Sequence, residues 1–340
     1  MSFGKIDMPA ERLEIGTQER IAYHGAPERL FAAALAAYDV GELTAFEPKT
    51  NGYEDYNVVL QTGSGPVFAK FFAAFRDAAE CRRYTTMMSF LHNEAGVRCP
   101  PLIENRDSEV LAQLDIDSTR VNFCLMQYLD GGNIWESRRP LTPDEQDQVI
   151  EQAAAINRSE YRPDFIYDSW AITNLAEKYR QNVNKLLPQD RQMVGALLQQ
   201  TAHAGLDFAQ LPHCFVHGDI RETNVMRHSD GKVHVIDFSV ANWYPRVVEL
   251  AVLCADILFD PRTPESAVQR YEWGIARYQE SGGQLTNQER ALLPLCVRLA
   301  HAADLVGGSS ADAANYISQA ETDYWLAHGR LGLLHSPPEW

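Results

Sequence analysis

The sequence is short of basic charge, of long apolar runs and of clustered cysteines, and each shortage excludes something. It carries 46 Asp and Glu against 30 Lys and Arg, a net charge of −16. A nucleic-acid binder needs a basic face for phosphates, so that partner class is set aside. The acidic balance fits cationic small partners better than anionic ones, and it also serves solubility. The longest apolar stretch, Val247 to Phe259, is interrupted by Glu249 and Asp256. It reads as too short and too charged to span a bilayer, so no membrane partner is expected. The opening residues MSFGKIDMPAERLEI contain no apolar core of a secretory signal. The six cysteines (Cys81, Cys99, Cys124, Cys214, Cys254 and Cys296) are widely spaced and none forms C-x-x-C. A chain of 340 residues with 45% hydrophobic content buries a core without disulfide staples. The cysteines therefore read as reduced core thiols in a cytoplasmic protein, with no Cys/His metal cluster. Repeats and low-complexity segments are absent as well.

What is present falls into two parts. Residues 27–38 have helical periodicity, with Leu30, Phe31, Ala34 and Leu35 on one side. Strands follow at 43–49, 57–61 and 66–72, the last two joined by the turn Thr62-Gly63-Ser64-Gly65. A helix over 77–93 ends at Gly96 and Pro100-Pro101, and strands near 109–114 and 121–128 complete this part. Asp130-Gly131-Gly132 then breaks the pattern. Beyond it, helices are expected at 143–157, 168–186, 189–204, 246–259, 264–281, 287–305 and 311–328. Thr142-Pro143-Asp144-Glu145 and Thr286 with Glu289 supply capping boxes. Three short strands, 214–216, 224–227 and 233–236, interrupt the helices, and HSPPEW reads as a loose tail. The expected class is α+β, with a small antiparallel sheet part and a larger helical part. The expected division is a helical extension over 1–42, a sheet lobe over 43–130, a helical lobe over 131–334 and a tail over 335–340. Two such lobes predict a cleft between them, a common ligand position.

The densest chemistry is His217-Gly218-Asp219-Ile220-Arg221-Glu222-Thr223-Asn224, followed by Ile236-Asp237-Phe238. Asp219 follows an apolar strand, Asn224 opens the next strand, and Asp237 ends the one after it. Three oxygen-bearing side chains thus gather at one end of a small hairpin. Carboxylate and amide oxygens are hard ligands suited to magnesium. Phosphoryl transfer needs a metal held on the phosphates and a carboxylate that receives the nucleophile's proton. The blander reading is a polar hairpin with satisfied carboxylates, which the composite of spacings disfavours.

These residues resemble the aminoglycoside phosphotransferase, choline kinase and homoserine kinase superfamily, with its H-G-D-x-x-x-x-N loop and later I-D-F. The resemblance implies a bilobal fold shared with protein kinases, whose loop reads H-R-D-x-x-x-x-N. It implies Asp219 as catalytic base, Asn224 and Asp237 as metal ligands, and His217 as an orienting residue. It implies Mg2+ with ATP, GTP being an alternative nucleotide. Arg221, two positions after Asp219, either takes the place where protein kinases often set a lysine toward the transferring phosphate or is a surface arginine. Upstream, Lys70 sits in the apolar strand Val67-Phe68-Ala69-Lys70-Phe71-Phe72, costly to bury without an anion. In the superfamily this lysine contacts nucleotide phosphates, and its partner is a glutamate on the next helix, for which Glu80 is the candidate. Thr50 to Asn57, with Gly52 and Tyr53, resembles the nucleotide-covering loop, although Asp55 stands where the family has Asn. The passage Met126 to Gly131 resembles the hinge, where the backbone of Gln127 and Leu129 would meet the adenine edge. Phe238-Ser239 replaces the more usual Phe-Gly, and serine lacks glycine's freedom at positive φ. The chain then passes through Ala241 to Arg246 into a helix, as in small-molecule kinases. The resemblance spans about residues 28 to 305.

The expectation is an ATP-dependent phosphotransferase acting on the hydroxyl of an amino acid, amino alcohol, sugar or aminoglycoside. Glu249, Asp256 or Asp260 are the candidates to face a cationic amine. Two other classes stay open: a Ser/Thr protein kinase and a non-catalytic nucleotide-binding scaffold. Acceptor choice lives in side chains whose spatial neighbours the sequence does not give.

Overall fold

The computed structural model of the chain describes residues 20–49, 54–310 and 319–340. Gly52 and Tyr53 lie outside the described residues, as do 311–318 of the last expected helix. The described chain packs as two units that divide after Asp130.

The first unit is a six-stranded sheet with a helix on one face. Strands β1 (Leu43–Lys49), β2 (Tyr56–Thr62), β3 (Gly65–Phe71), β6 (Thr119–Gln127) and β4 (Leu102–Ile103) lie in that spatial order, with β5 (Ala112–Ile116) also paired to β6. Every pairing is antiparallel. Side chains alternate across a strand. Val67, Ala69 and Phe71 of β3 join Val58, Leu60 and Phe123 in an apolar cluster. Helix α1 (Pro27–Leu35), opened by Pro27 in its first turn, adds Leu30, Phe31, Ala34 and Leu35 to that cluster. The Phe31 ring lies 5.6 Å from Phe71 and 5.0 Å from Phe46. Lys70 belongs to the opposite set of side chains and is held by strands on both sides, opposite Asn57 and Cys124. Helix α2 (Ala78–Asn93) begins at a capping box in which Asp77 and Glu80 satisfy each other's backbone.

The second unit is mainly helical: α3 (Ile134–Ser137), α4 (Pro143–Arg158), α5 (Leu175–Asn182), α6 (Pro188–His203), α7 (Val247–Ala255), α8 (Ala267–Glu280), α9 (Asn287–Gly308) and α10 (Gln319–His335). Helix α7 is buried along its whole length, and α9 packs against α5, α6, α7 and α10. By length and composition α9 could cross a membrane, but 72% of its apolar window is buried inside the protein, as in a core helix. The Thr286–Glu289 capping box starts α9, and Glu289 also pairs with Arg246 at 2.6 Å. All six cysteines are free and buried.

Three local expectations change. Strand β7 (His213–Val216) pairs with β10 (Asn242–Pro245), a stretch read as a passage into helix. Of the three short strands expected there, β8 (Val225–Arg227) and β9 (Val233–Val235) pair with each other as a hairpin. The expected 168–186 helix is shorter, because 3-10 turns at Ile172–Asn174 and Val183–Lys185 flank α5. The C-terminal residues are packed: buried Ser336 meets the Tyr271 hydroxyl at 3.2 Å, its carbonyl accepts from Arg298 at 2.6 Å, and the Trp340 ring lies against Tyr271.

Candidate active site

In the helical unit, the chain leaves β7 at His217 and turns through Gly218, whose φ of +78° suits glycine. His217 is fully buried and spans the turn. Its Nδ1 accepts the Asp219 amide at 3.1 Å, which leaves Nε2 as donor to the Ile236 carbonyl at 3.0 Å. Burial lowers its pKa to about 4, so the ring stays neutral and serves as a brace. Below it, Glu249 of α7 accepts the His217 amide at 2.6 Å and Asn157 at 3.3 Å. Burial raises the Glu249 pKa to about 7.

The brace presents Asp219, whose side chain keeps 40% of its exposure. The Asn224 side-chain amide donates to Asp219 Oδ2 at 2.7 Å and to the Asp219 carbonyl at 3.0 Å. The Asn224 carbonyl in turn accepts the Ile236 amide at 2.9 Å, which ties the loop to the residue before Asp237. Asp237 stands at φ +60°, in the left-handed region, and its Oδ1 accepts from Ser239. The left-handed position is therefore Asp237 and not Ser239, and aspartate tolerates it better than most side chains. The dense setting raises the pKa of Asp219, Arg221 opposes the rise, and Asp168, Asp237 and Asp256 add to it.

Arg221 is no surface arginine. Its Nε meets Asp219 at 2.9 Å, and its Nη1 meets Asp304 at 3.0 Å and Asp256 at 3.4 Å. Burial works against its charge, yet the three carboxylates hold its pKa above the ordinary value. Asp304 also accepts from His328 of α10 at 3.0 Å. Asp256 Oδ1 accepts the Glu222 amide at 2.8 Å. The Glu222 carboxylate is half-buried and has no hydrogen bond among the described residues. Burial and then neighbouring Asp256 push its pKa up. Trp135, Tyr324 and Trp325 pack against one another beside this network. Trp135 lies 4.5 Å from Tyr324 and 5.5 Å from Trp325, and Arg221 lies 5.6 Å from the Trp325 ring.

In the sheet unit, Lys70 is 4% exposed and its Nζ lies 2.8 Å from Asp55 Oδ2. This corrects the Glu80 assignment. Glu80 is exposed and its carboxylate accepts the Asp77 amide at 3.1 Å, so it closes the α2 cap and does not reach the lysine. Gln127 ends β6 with its amide bonded to the Pro101 carbonyl at 3.0 Å, and Leu129 is buried.

The sequence profile of the phosphotransferase enzyme family matches residues 46–281. The chain belongs to that family. Its fold is the kinase-like one, and its activity class is a kinase with an alcohol group as acceptor. Among curated relatives, a homoserine kinase of Parvibaculum lavamentivorans is 25% identical over 231 residues, covering 64% of this chain and 66% of that one. The chain thus spans just under two thirds of that relative. A homoserine kinase of Rhodopseudomonas palustris is 25% identical over 278 residues, covering 78% and 79%. A microcompartment-associated aminopropanol kinase superposes with a TM-score of 0.65 at 17% identity, over 90% of this phosphotransferase and 95% of that chain. A spectinomycin phosphotransferase bound to ADP and spectinomycin gives 0.60 at 12% identity, over 91% and 98%.

Sequence reasoning missed Asp55 as a lysine partner, and missed Asp304, His328 and Glu222. It also offered Glu249, Asp256 and Asp260 as the carboxylates to face a cationic amine. Instead Glu249 holds the loop, Asp256 meets Arg221 and Glu222, and Asp260 pairs with Arg262 at 2.8 Å.

Proposed function

We propose that this phosphotransferase moves the terminal phosphoryl group of a nucleoside triphosphate, ATP in the first instance, to the hydroxyl of a small amino-alcohol or amino-acid acceptor. The observation that carries the reading is the Asp219 constellation: a half-exposed carboxylate fixed by Asn224 on one oxygen and by Arg221 on the other. A base in phosphoryl transfer must be oriented before the acceptor arrives, because most of the catalysis is positioning and charge stabilisation. Asp219 receives the acceptor proton as the phosphoryl group transfers. Its raised pKa brings it closer to neutral, where a general base is most effective. Arg221 stays charged and faces the negative charge that develops on the phosphoryl oxygens.

The donor set fits a hard divalent cation, magnesium being our choice. Asn224 spends its Nδ2 on Asp219 and keeps Oδ1 without a hydrogen bond among the described residues, and Asp237 projects a carboxylate from the tethered strand end. Asp237 and Asn224 would hold the ion, which when bound neutralises nucleotide phosphate charge. In the sheet unit, Lys70 supplies a fixed ammonium for the phosphates, and the backbone of Gln127 and Leu129 supplies the base edge.

Glu222 supports the acceptor class. A half-buried carboxylate without a hydrogen-bond partner, beside a second carboxylate, favours a cation. Homoserine and aminopropanol, named for the kinases above, each pair a hydroxyl with an amine, which supports this choice. Phosphate transfer from ATP and GTP to a panel of amino alcohols, hydroxy amino acids, sugars and aminoglycosides tests it. Transfer to amine-bearing acceptors, weakened in KM by Glu222→Gln, is expected. Transfer to neutral sugars alone would contradict the acceptor class.

A further inference from the structure

We infer that Asp55 is the residue that positions Lys70 for the nucleotide, so that the lysine's carboxylate partner comes from the segment entering β2 and not from helix α2. The inference rests on the nucleotide role proposed for Lys70. A buried ammonium requires an anion close by, since desolvation costs more than any neutral neighbour returns. Lys70 sits between Asn57 and Cys124 on flanking strands, and the Tyr84 ring of α2 lies 5.2 Å from its Nζ. At this contact α2 offers an aromatic face. Its one acidic residue in the first turn, Glu80, is committed to the helix cap.

Asp55 is built as an anchor. Its Oδ2 takes Lys70 at 2.8 Å, and its Oδ1 takes the Ala73 amide at 2.9 Å and Arg76 Nε at 3.0 Å. Its own carbonyl accepts from Arg20 at 2.8 Å. Three residues hold this carboxylate and a fourth holds its backbone, and a fixed carboxylate fixes the ammonium. Burial works against its charge, but Lys70 and Arg76 hold its pKa below the usual carboxylate range. The segment that resembles the nucleotide-covering loop therefore also carries the acid that aims the lysine.

The test is calorimetric titration of the full chain with Mg2+ and the non-hydrolysable analogue AMP-PNP, which needs no acceptor. Asp55→Asn, Lys70→Met, the double variant and Glu80→Gln are compared with the parent. Gln closes a capping box as Glu does, so Glu80→Gln keeps the helix start. Lys70→Met is expected to weaken binding roughly 10- to 100-fold, the range of a charge-assisted contact. Asp55→Asn should weaken it comparably, the double variant should add little, and Glu80→Gln should match the parent. A merely structural role would lower melting temperature or the fraction of competent sites and leave Kd unchanged. Asp55→Asn with the parent Kd, beside a damaged Lys70→Met, would overturn the inference. Lys70→Met with the parent Kd would instead overturn the nucleotide role itself. Should Asp55→Asn not fold, Asp55→Glu and the double variant, which carries no unpaired ammonium, make the same comparison.

Discussion

Arg221 Nη1 lies 3.0 Å from Asp304 Oδ1, so a carboxylate on the central helix α9 holds the guanidinium that touches Asp219. Asp304 is buried and its other oxygen takes His328 of α10. Two helices distant in sequence therefore set the angle at which Arg221 meets the base.

Asp304→Asn should let Arg221 drift, because the charge that aims it is gone. Turnover is expected to fall by about 10- to 100-fold, while the nucleotide KM stays at the parent value. Steady-state kinetics at saturating acceptor checks this. Unchanged turnover would mean that Asp256 and Asp219 suffice to hold the arginine.

Glu249 makes stability depend on pH in a definite direction. Its folded pKa of about 7 lies above the ordinary carboxyl value, because burial disfavours the charged form. Between those values the folded state binds more protons than the unfolded one. The stabilisation is complete below the unfolded pKa and is lost as pH rises through about 7. Glu249→Gln mimics the protonated form and still accepts the His217 amide. Relative to the parent, it should gain on the order of 3 kcal/mol between pH 4 and pH 8. Urea titrations at the two pH values measure the difference, and parallel curves would refute the assignment.

Arg246 and Glu289 form a two-pronged pair, at 2.6 and 3.1 Å, in which the glutamate side chain has no solvent exposure. The same glutamate closes the α9 capping box. Glu289→Ala leaves a mostly buried guanidinium uncompensated and uncaps the helix, a loss of about 3–5 kcal/mol. Glu289→Gln, which keeps the cap, should lose less. A melting temperature for Glu289→Ala equal to the parent's would contradict this ranking.

Asp237 offers a test of the metal reading. Asparagine tolerates its left-handed backbone, so Asp237→Asn changes the charge with little strain. It should weaken Mg2+–AMP-PNP binding by more than about 10-fold while metal-free nucleotide binding is spared. Chelation of the metal should abolish transfer in the parent. Equal metal dependence of binding in both proteins would remove Asp237 from the ligand set.

The loop from His217 to Asn224 was legible in the sequence because its geometry is local. A strand, a glycine turn and a short helical turn lie within a dozen residues, and the type and spacing of the side chains carry the chemistry. Strands β1 to β3 were legible for the same reason, as alternation and a glycine turn are short-range signals. The carboxylates around Arg221 were not. Asp256 and Asp304 reach it only through the packing of α7 and α9, and no periodicity in the sequence predicts which polar residue of a buried helix faces inward. Glu80 shows a different failure. The pattern Asp77-x-x-Glu80 already announced a capping box, and that local use of the glutamate prevailed over the family's ion pair. Strand β10 was missed because Trp243, Tyr244 and Pro245 pair with β7, a long-range partner that a short stretch does not reveal.

The most direct test of the account is phosphate transfer from Mg2+–ATP to an amine-bearing hydroxyl acceptor by the parent and by Asp219→Asn, with AMP-PNP affinity measured for both. The account predicts a turnover loss of about 10²- to 10⁴-fold with nucleotide affinity preserved. Turnover equal to the parent's would show that Asp219 is not the base, and the central claim would fall.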